Sequence, residues 1–375
     1  MAVTRPPEFY IGLMSGTSLD GIDIAIVDFS VKPPLILLSD TLPYSASMKS
    51  RIRKITLDET ASIDSLCQLN IELGHVYAAV VNKSIGRTNL DHTQIMAIGN
   101  HGQTIRHCPD AAFPYTLQTG DPNTLAIETG ITTVADFRGI DIALGGQGAP
   151  LAPAFHQSVF SSKTTDRVVI NIGGIANITY LPSKPNEKII GFDTGPGNTL
   201  SDYWIGLNKN LPYDNGGEWA KSGCVIDKLL GEFLRKEEFF KQKAPKSTGT
   251  GYFNSTWLST FKINGYAPND IQATLIELSA LTISDSISKL PSNSIECFIC
   301  GGGAHNALLI ERIQKRLPRY SVQTTEQLGI DPDYVEAIAF AWLAQQRINN
   351  KTGNIPSATN ATHRGVLGGI YKINH

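Results

Sequence analysis

Asp193 lies in the segment GFDTGPGN (191–198), between an apolar strand end and a Gly-Pro-Gly turn, a poor position for core packing. A carboxylate pointing from such a place into a cleft can take a proton from water or an alcohol within hydrogen-bond reach. The competing reading is an Asp that caps the following turn through its backbone amides. A second kind of chemistry is written in glycine. Gly16-Thr17-Ser18-Leu19-Asp20-Gly21, with Ile22 and Asp23 opening the next strand, forms a tip whose amides, together with the Ser15, Thr17 and Ser18 hydroxyls, suit an anion. Gly173-Gly174 stands at the tip of a similar unit, and Gly301-Gly302-Gly303 follows a short apolar run. Any one of these loops could be a plain tight turn, whereas two of them facing across a cleft could hold the phosphates of a nucleotide.

Polar side chains crowd two further segments. GNHGQTIRHCP (99–109) brings His101, Gln103, Thr104, Arg106 and His107 together, and VADFRGIDIALGGQGAPLAPAFH (134–156) mixes Asp136, Arg138, Asp141 and Gln147 with glycine and proline, as either a substrate-lining loop or a plain interdomain connection would. Arg and Gln offer fork-shaped donors for carboxylate and hydroxyl groups of a polar ligand. Glu336, on a helical face beside Val335 and Ala339, could reach a ligand or pair with an arginine. A zinc site is the alternative around His101, His107 and Cys108, but paired ligand spacing is lacking. Cys297-x-x-Cys300 falls inside the apolar run 295–300, where core packing is the better account.

These groups need elements to position them. Residues 9–29 read as strand, Gly/Ser/Thr/Asp turn and strand, and residues 167–181 repeat that form around Gly173-Gly174. Residues 295–317 differ, reading as an apolar strand from Ile295 to Cys300, the glycine turn 301–303, and a helix from Ala304 to Leu317. Leu66, Leu69, Leu73, Val76 and Val80 recur at helical spacing, as do Val335, Ile338, Ala339, Trp342 and Leu343, with Asp331 and Pro332 as start signals for the second helix. A repeated glycine-tipped hairpin predicts two α/β domains with a cleft between them. The boundary is expected near residues 120–135, giving residues 1–130 plus 362–375 as one domain and 131–361 as the other.

The bulk composition agrees with this and removes other classes. A chain of 375 residues with 41% hydrophobic and 18% charged residues suggests two globular domains. With Lys+Arg 32 against Asp+Glu 34, the net charge of -2 offers no basic excess for a nucleic acid. The Lys-rich stretch 235–246 is balanced by Glu232, Glu237 and Glu238 and reads as a solvated helix end. No apolar run approaches the roughly 18 residues that span a bilayer, and no apolar leader precedes Gly12, so a cytoplasmic protein is expected. Five scattered cysteines, an odd number, argue against a disulfide framework.

Taken together, LMSGTSLDGID (13–23), GNHGQTIRH (99–107), ADFRGIDIALGGQGAPLAPAFH (135–156), NIGGIANIT (171–179), GFDTGPGN (191–198), STGTGYFN (247–254) and CGGGAHN (300–306) resemble the anhydro-N-acetylmuramic acid kinase family, in order across nearly the whole chain. The resemblance implies a two-domain actin-like (ribonuclease H-like) ATPase fold with ATP and Mg2+ in the interdomain cleft, and usually a homodimer. The wider superfamily usually places an Asp two positions before the first loop glycine. Here that position is Met14, so this loop supplies no such carboxylate to magnesium.

The implied reaction opens the 1,6-anhydro bridge of the amino sugar with water and phosphorylates O6, in the recycling of cell-wall fragments. Asp193 matches the family's base. Arg138 and Arg106 are assigned to the lactyl carboxylate and nearby hydroxyls, with His101, Gln103 and Glu336 as further sugar contacts. Gly16 to Asp23, Gly173, Gly174 and Gly301 to Gly303 are assigned to the nucleotide. The rivals are another sugar kinase on the same scaffold and an ATP-driven clamp or filament protein.

Overall fold

A computed structural model describes residues 6–57 and 60–372. They fall into two compact units: one runs to Val159 and resumes at Tyr334, and the other is Phe160–Asp333.

In the first unit the chain makes β1 (Phe9–Ser15), β2 (Gly21–Asp28) and β3 (Leu35–Pro43) as an antiparallel meander. It then returns through the helices Ala46–Leu57 and Ile63–Ile85 to β4 (Ile95–Cys108), which lies parallel to β1. β5 (Tyr115–Thr119) pairs antiparallel with β4, and β6 (Thr133–Ala135) pairs parallel with it. The second unit repeats the pattern. β7 (Asp166–Ile172), β8 (Ile175–Leu181) and β9 (Ile190–Pro196) form a meander, β10 (Ile295–Cys300) joins β7 in parallel, and β11 (Ser321–Thr324) joins β10 in parallel. The closing strand β12 (Gly369–Tyr371) returns to the edge of the first sheet beside β6.

The strand order β6-β4-β1-β2-β3 in one sheet and β11-β10-β7-β8-β9 in the other, with the same directions, is one ribonuclease H-like topology used twice. The two-unit α/β class expected from the repeated hairpin therefore holds.

Nearly every residue of β1 and β2 is buried, because helices cover both faces of the sheet. On one face Leu69, Leu73, Tyr77 and Val81 of the helix Ile63–Ile85 pack on Ile11, Ile24 and Ile98. On the other, the Ala-rich helix Val335–Ile348 sits on the strands backbone to backbone. A Cβ on Gly12 would come within 1.8 Å of the Ala337 carbonyl oxygen, and one on Gly99 within 2.0 Å of that of Phe340. Glycine is thus required by close approach. The second unit has a sheet core of Val168, Ile170, Ile178 and Ile283 and a separate aromatic cluster of Trp204, Phe233, Phe253 and Trp257.

Three sequence expectations shift. The unit boundaries lie at 159/160 and 333/334, later than 130/131 and earlier than 361/362, because β6 pairs with β4 and the helix Val335–Ile348 covers β1 and β4. That helix begins after Pro332: Asp331 accepts from the Asp333 amide at 3.0 Å, and Tyr334 stands at the N-cap without a side-chain bond. The helix after the triple glycine starts at Ala307, capped by Asn306, with a short 3-10 turn before it.

Candidate functional site

In the first unit the β1–β2 turn closes through the Leu19 amide, which donates to the Gly16 carbonyl at 3.3 Å. Leu19 takes a positive φ of 61° while its side chain is buried in the core, an unusual pairing that fixes the tip and leaves Thr17, Ser18 and Asp20 exposed. Beneath the turn, Ser15 Oγ accepts from Tyr44 Oη at 2.9 Å and lies 3.1 Å from Tyr77 Oη, a buried hydroxyl cluster at the end of β1. Gln103 Nε2 donates to the Gly16 carbonyl at 3.2 Å, tying β4 to the same turn.

Around Arg138 the polar groups converge. Its Nε and Nη2 donate to His101 Nε2 at 3.2 and 2.9 Å, and its Nη1 donates to the Gly148 carbonyl at 2.7 Å. Burial, and then the Arg138 charge, hold the His101 imidazole well below its usual range, so it stays neutral and accepts. Its ring packs on Phe340 with centroids 4.6 Å apart. Burial raises the Glu336 carboxyl, and Arg138 opposes that while the charge of Asp23 adds to it. Asp23 itself accepts from Thr41 Oγ1 at 2.6 Å. A neutral imidazole, a buried guanidinium and two carboxylates thus share one field, a surface suited to a ligand bearing hydroxyls and a carboxylate.

Arg106 is placed elsewhere. Its Nη1 donates to the Thr56 carbonyl at 2.6 Å and the Ile105 carbonyl at 2.9 Å, fastening the end of the helix Ala46–Leu57 to β4. Asp141 of the 134–156 segment is buried, accepting from the Gly148 amide, Asn354 and Thr359 at 2.7–2.8 Å, and so serves the scaffold.

In the second unit three glycine segments meet at the end of β7. The Gly197 amide donates to the Gly174 carbonyl and the Asn198 amide to the Gly173 carbonyl, both at 2.9 Å. Gly301, at φ 78°, and Gly303 press on the same strand end: added Cβ atoms would stand 2.4 Å from Asn171 Oδ1 and 2.3 Å from Ile172 Cγ2. These contacts explain Gly197, Gly301 and Gly303. They leave Gly16, Gly173 and Gly302 unexplained, since none has a positive φ and a Cβ on each would meet nothing closer than 3.5 Å. Glycine at a position where a side chain would fit is what a turn needs when an outside group must approach its backbone.

Asp193 lies within β9, opposite Asn177 of β8, rather than beyond the strand end. Its Oδ2 accepts from the Thr248 amide at 2.8 Å, and its own amide donates to the Lys246 carbonyl at 3.0 Å. The capping of its own turn is therefore not what it does. Burial pushes its carboxyl up to about 6, against the pull of the Thr248 amide and the Lys246 charge. A carboxylate at that value is ionised near neutral pH yet basic enough to receive a proton.

The segment 247–251 links this group to the glycine turn. Thr248 holds Asp193, and Thr250 Cγ2 lies where a Cβ on Gly174 would come within 2.8 Å. In the sequence Thr248 and Thr250 carry no individual signal, because a Ser/Thr/Gly run has no periodicity and the bond to Asp193 spans 55 positions, and Lys246 reads only as part of the solvated Lys-rich stretch. Cys297 and Cys300 are buried in β10 as expected, and burial drives the Cys297 thiol up to about 12. Among the described residues, no three His, Cys, Asp or Glu side chains cluster as metal ligands, and no helix is long and apolar enough to cross a membrane.

The chain matches the family described as anhydro-N-acetylmuramic acid kinase over residues 8–373. Curated relatives of that description include one from Saccharophagus degradans, 50% identical over 97% of this chain and 99% of its own length. Another, from Shewanella pealeana, is 47% identical over 97% and 98% of the two chains. One from Coxiella burnetii is 46% identical over 98% of each.

Proposed function

Because the chain belongs to the anhydro-N-acetylmuramic acid kinase family, we propose that Asp193 is the base that activates water as the enzyme opens and phosphorylates that sugar. The observation that carries this reading is Asp193 itself, a partly buried carboxylate raised to about 6 and held by the Thr248 amide.

The steps balance without a second acid. Asp193 takes a proton from water, and the water oxygen bonds to C1 of the anhydro sugar. The C1–O6 bond breaks, and the charge developing on O6 is taken up by its bond to the γ-phosphorus of ATP as ADP leaves. The products are N-acetylmuramic acid 6-phosphate and ADP, and the proton on Asp193 passes to solvent. An ordinary glycosidase needs a carboxylic acid to protonate the departing oxygen, whereas here phosphoryl transfer fills that role.

For the nucleotide we assign the turn Gly16 to Asp23, the Gly173-Gly174 turn and Gly301 to Gly303, supported by the open glycines Gly16, Gly173 and Gly302. Magnesium takes one or two carboxylates and completes its shell with phosphate and water, and it would offset phosphate charge. Met14 is buried and apolar, so the carboxylates that this turn could offer the ion are Asp20, exposed at the loop tip, and Asp23, which accepts from Thr41. We assign the sugar to Arg138, His101 and Glu336, with Arg138 facing the lactyl carboxylate. Gln103 acts through its bond to Gly16, and Arg106 through the scaffold. A cytoplasmic homodimer is the setting proposed with this activity.

The test is ADP release with the anhydro sugar, glucose, N-acetylglucosamine and free N-acetylmuramic acid in parallel. Release stimulated by the anhydro sugar alone supports the reading. Slow hydrolysis that no sugar stimulates would instead fit an ATP-driven clamp.

A further inference from the structure

Behind β9 lies a cavity of about 350 Å³ that the proposed chemistry does not use. Ile190, Phe192 and Thr194 line it. Since strand side chains alternate, Asp193 projects to the other face of the sheet. Phe240, Leu281 and Leu290 complete an apolar floor, and the volume is within the range of small-molecule sites.

The rim is cationic. Lys241, Lys243, Lys246 and Lys289 stand around it against one acid, Asp285. Lys241 is paired with Glu238 at 2.6 Å. Lys243 and Lys289 make no ion pair with any described carboxylate, and Lys246 donates to the Phe239 carbonyl at 2.9 Å with its ammonium 4.2 Å from the Phe239 ring centroid. Burial and the charge of Lys289 both hold Lys246 below its ordinary value, so these ammonium groups repel across the cavity. A dianion placed between them would relieve that repulsion and make charge-assisted bonds.

We propose that this cavity binds a phosphorylated small molecule, its phosphate between Lys243, Lys246 and Lys289 and its carbon body on the phenyl rings of Phe192 and Phe240. A bare inorganic anion would leave the apolar floor wet, so the body is part of the recognition. The kinase's own product belongs to this ligand class. The site is also joined to Asp193: Lys246 faces the cavity with its side chain and holds the Asp193 amide with its carbonyl, two residues before Thr248. An anion beside Lys246 would offset the charge that keeps Asp193 ionised. That coupling rests on the role proposed for Asp193, whereas binding in the cavity does not.

The experiment is calorimetric titration of the full chain with N-acetylglucosamine 6-phosphate, inorganic phosphate and N-acetylglucosamine. The sugar phosphate is expected to bind about tenfold tighter than inorganic phosphate, a gap of the size that burying part of a carbon body provides. Lys243→Gln with Lys289→Gln, both at exposed positions, is expected to weaken binding by tenfold or more, on the scale of losing one charge-assisted bond. The double Arg variant retains it. Binding that is absent, or unchanged in the Gln variant, overturns the proposal, and inorganic phosphate binding as tightly as the ester overturns the organic ligand. If binding follows the lysines but ADP release never responds to the anhydro sugar, the kinase assignment fails and the cavity site stands.

Discussion

Gly173→Ala separates a glycine kept for the fold from one kept for a ligand. Its backbone is outside the left-handed region, and an added Cβ would lie 3.7 Å from the nearest atom, the Ile175 carbonyl oxygen. The substitution therefore brings no clash and restricts the unfolded chain, a gain of about 0.4–1 kcal/mol where the native backbone suits alanine. If phosphate oxygens reach the turn amides, the new methyl displaces them. Losing one charge-assisted hydrogen bond costs about 1.5–3 kcal/mol, which raises the KM for ATP roughly 10- to 150-fold. Gly197→Ala is the opposite control, because its Cβ would stand 2.3 Å from the Gly173 carbonyl oxygen and disturb the fold. Thermal denaturation and steady-state kinetics read the two effects apart. Gly173→Ala should melt at or above the native temperature and bind ATP poorly. A Gly173→Ala enzyme with native stability and a KM for ATP within twofold of native would refute the reasoning.

The remaining predictions concern charge and packing. With Asp193 at about 6, kcat/KM should rise tenfold per pH unit below that value and level off above it, measured as ADP release across pH 4.5–8. The same shift acts on stability. The folded state binds the Asp193 proton more tightly than the unfolded chain, so stability is lost as pH rises from 3.8 to about 6. Asp193→Asn should therefore melt higher than native at pH 8, by on the order of 3 kcal/mol in unfolding free energy, and lose that advantage near pH 3.5. Arg138→Ala should raise the KM for the sugar tenfold or more while leaving the KM for ATP within about threefold, since it removes the cation assigned to the lactyl carboxylate. Gly12→Ala should destabilise the first unit by more than about 3 kcal/mol, read by denaturant titration, because its Cβ would lie 1.8 Å from the Ala337 carbonyl oxygen.

The glycine-tipped hairpins were legible because each is a local pattern: apolar alternation, a Gly-rich tip, and alternation again. The doubling of the topology follows from finding that pattern twice. Unit boundaries were less legible, since the placement of β6 and of the helix Val335–Ile348 depends on pairing with β4 and on glycines at 12 and 99, far off in sequence. Among site residues, His101, Arg138 and Glu336 do share one field. Arg106, three residues from Gln103, turns to carbonyls of the scaffold, because a register shift in the β4–β5 pairing between Thr104 and Arg106 alters the simple alternation there. Thr248 was invisible as a partner of Asp193, since no periodicity links residues 55 apart. Lys243 and Lys246 read only as part of a solvated Lys-rich stretch, Lys289 lies more than forty positions further on, and only the fold sets the three around one cavity.

The most direct measurement is ADP release by Asp193→Asn with saturating ATP, with and without the anhydro sugar, beside ATP binding by calorimetry. Loss of a general base predicts a rate lower by roughly three to four decades with ATP binding intact. Sugar-stimulated turnover within tenfold of native would contradict it.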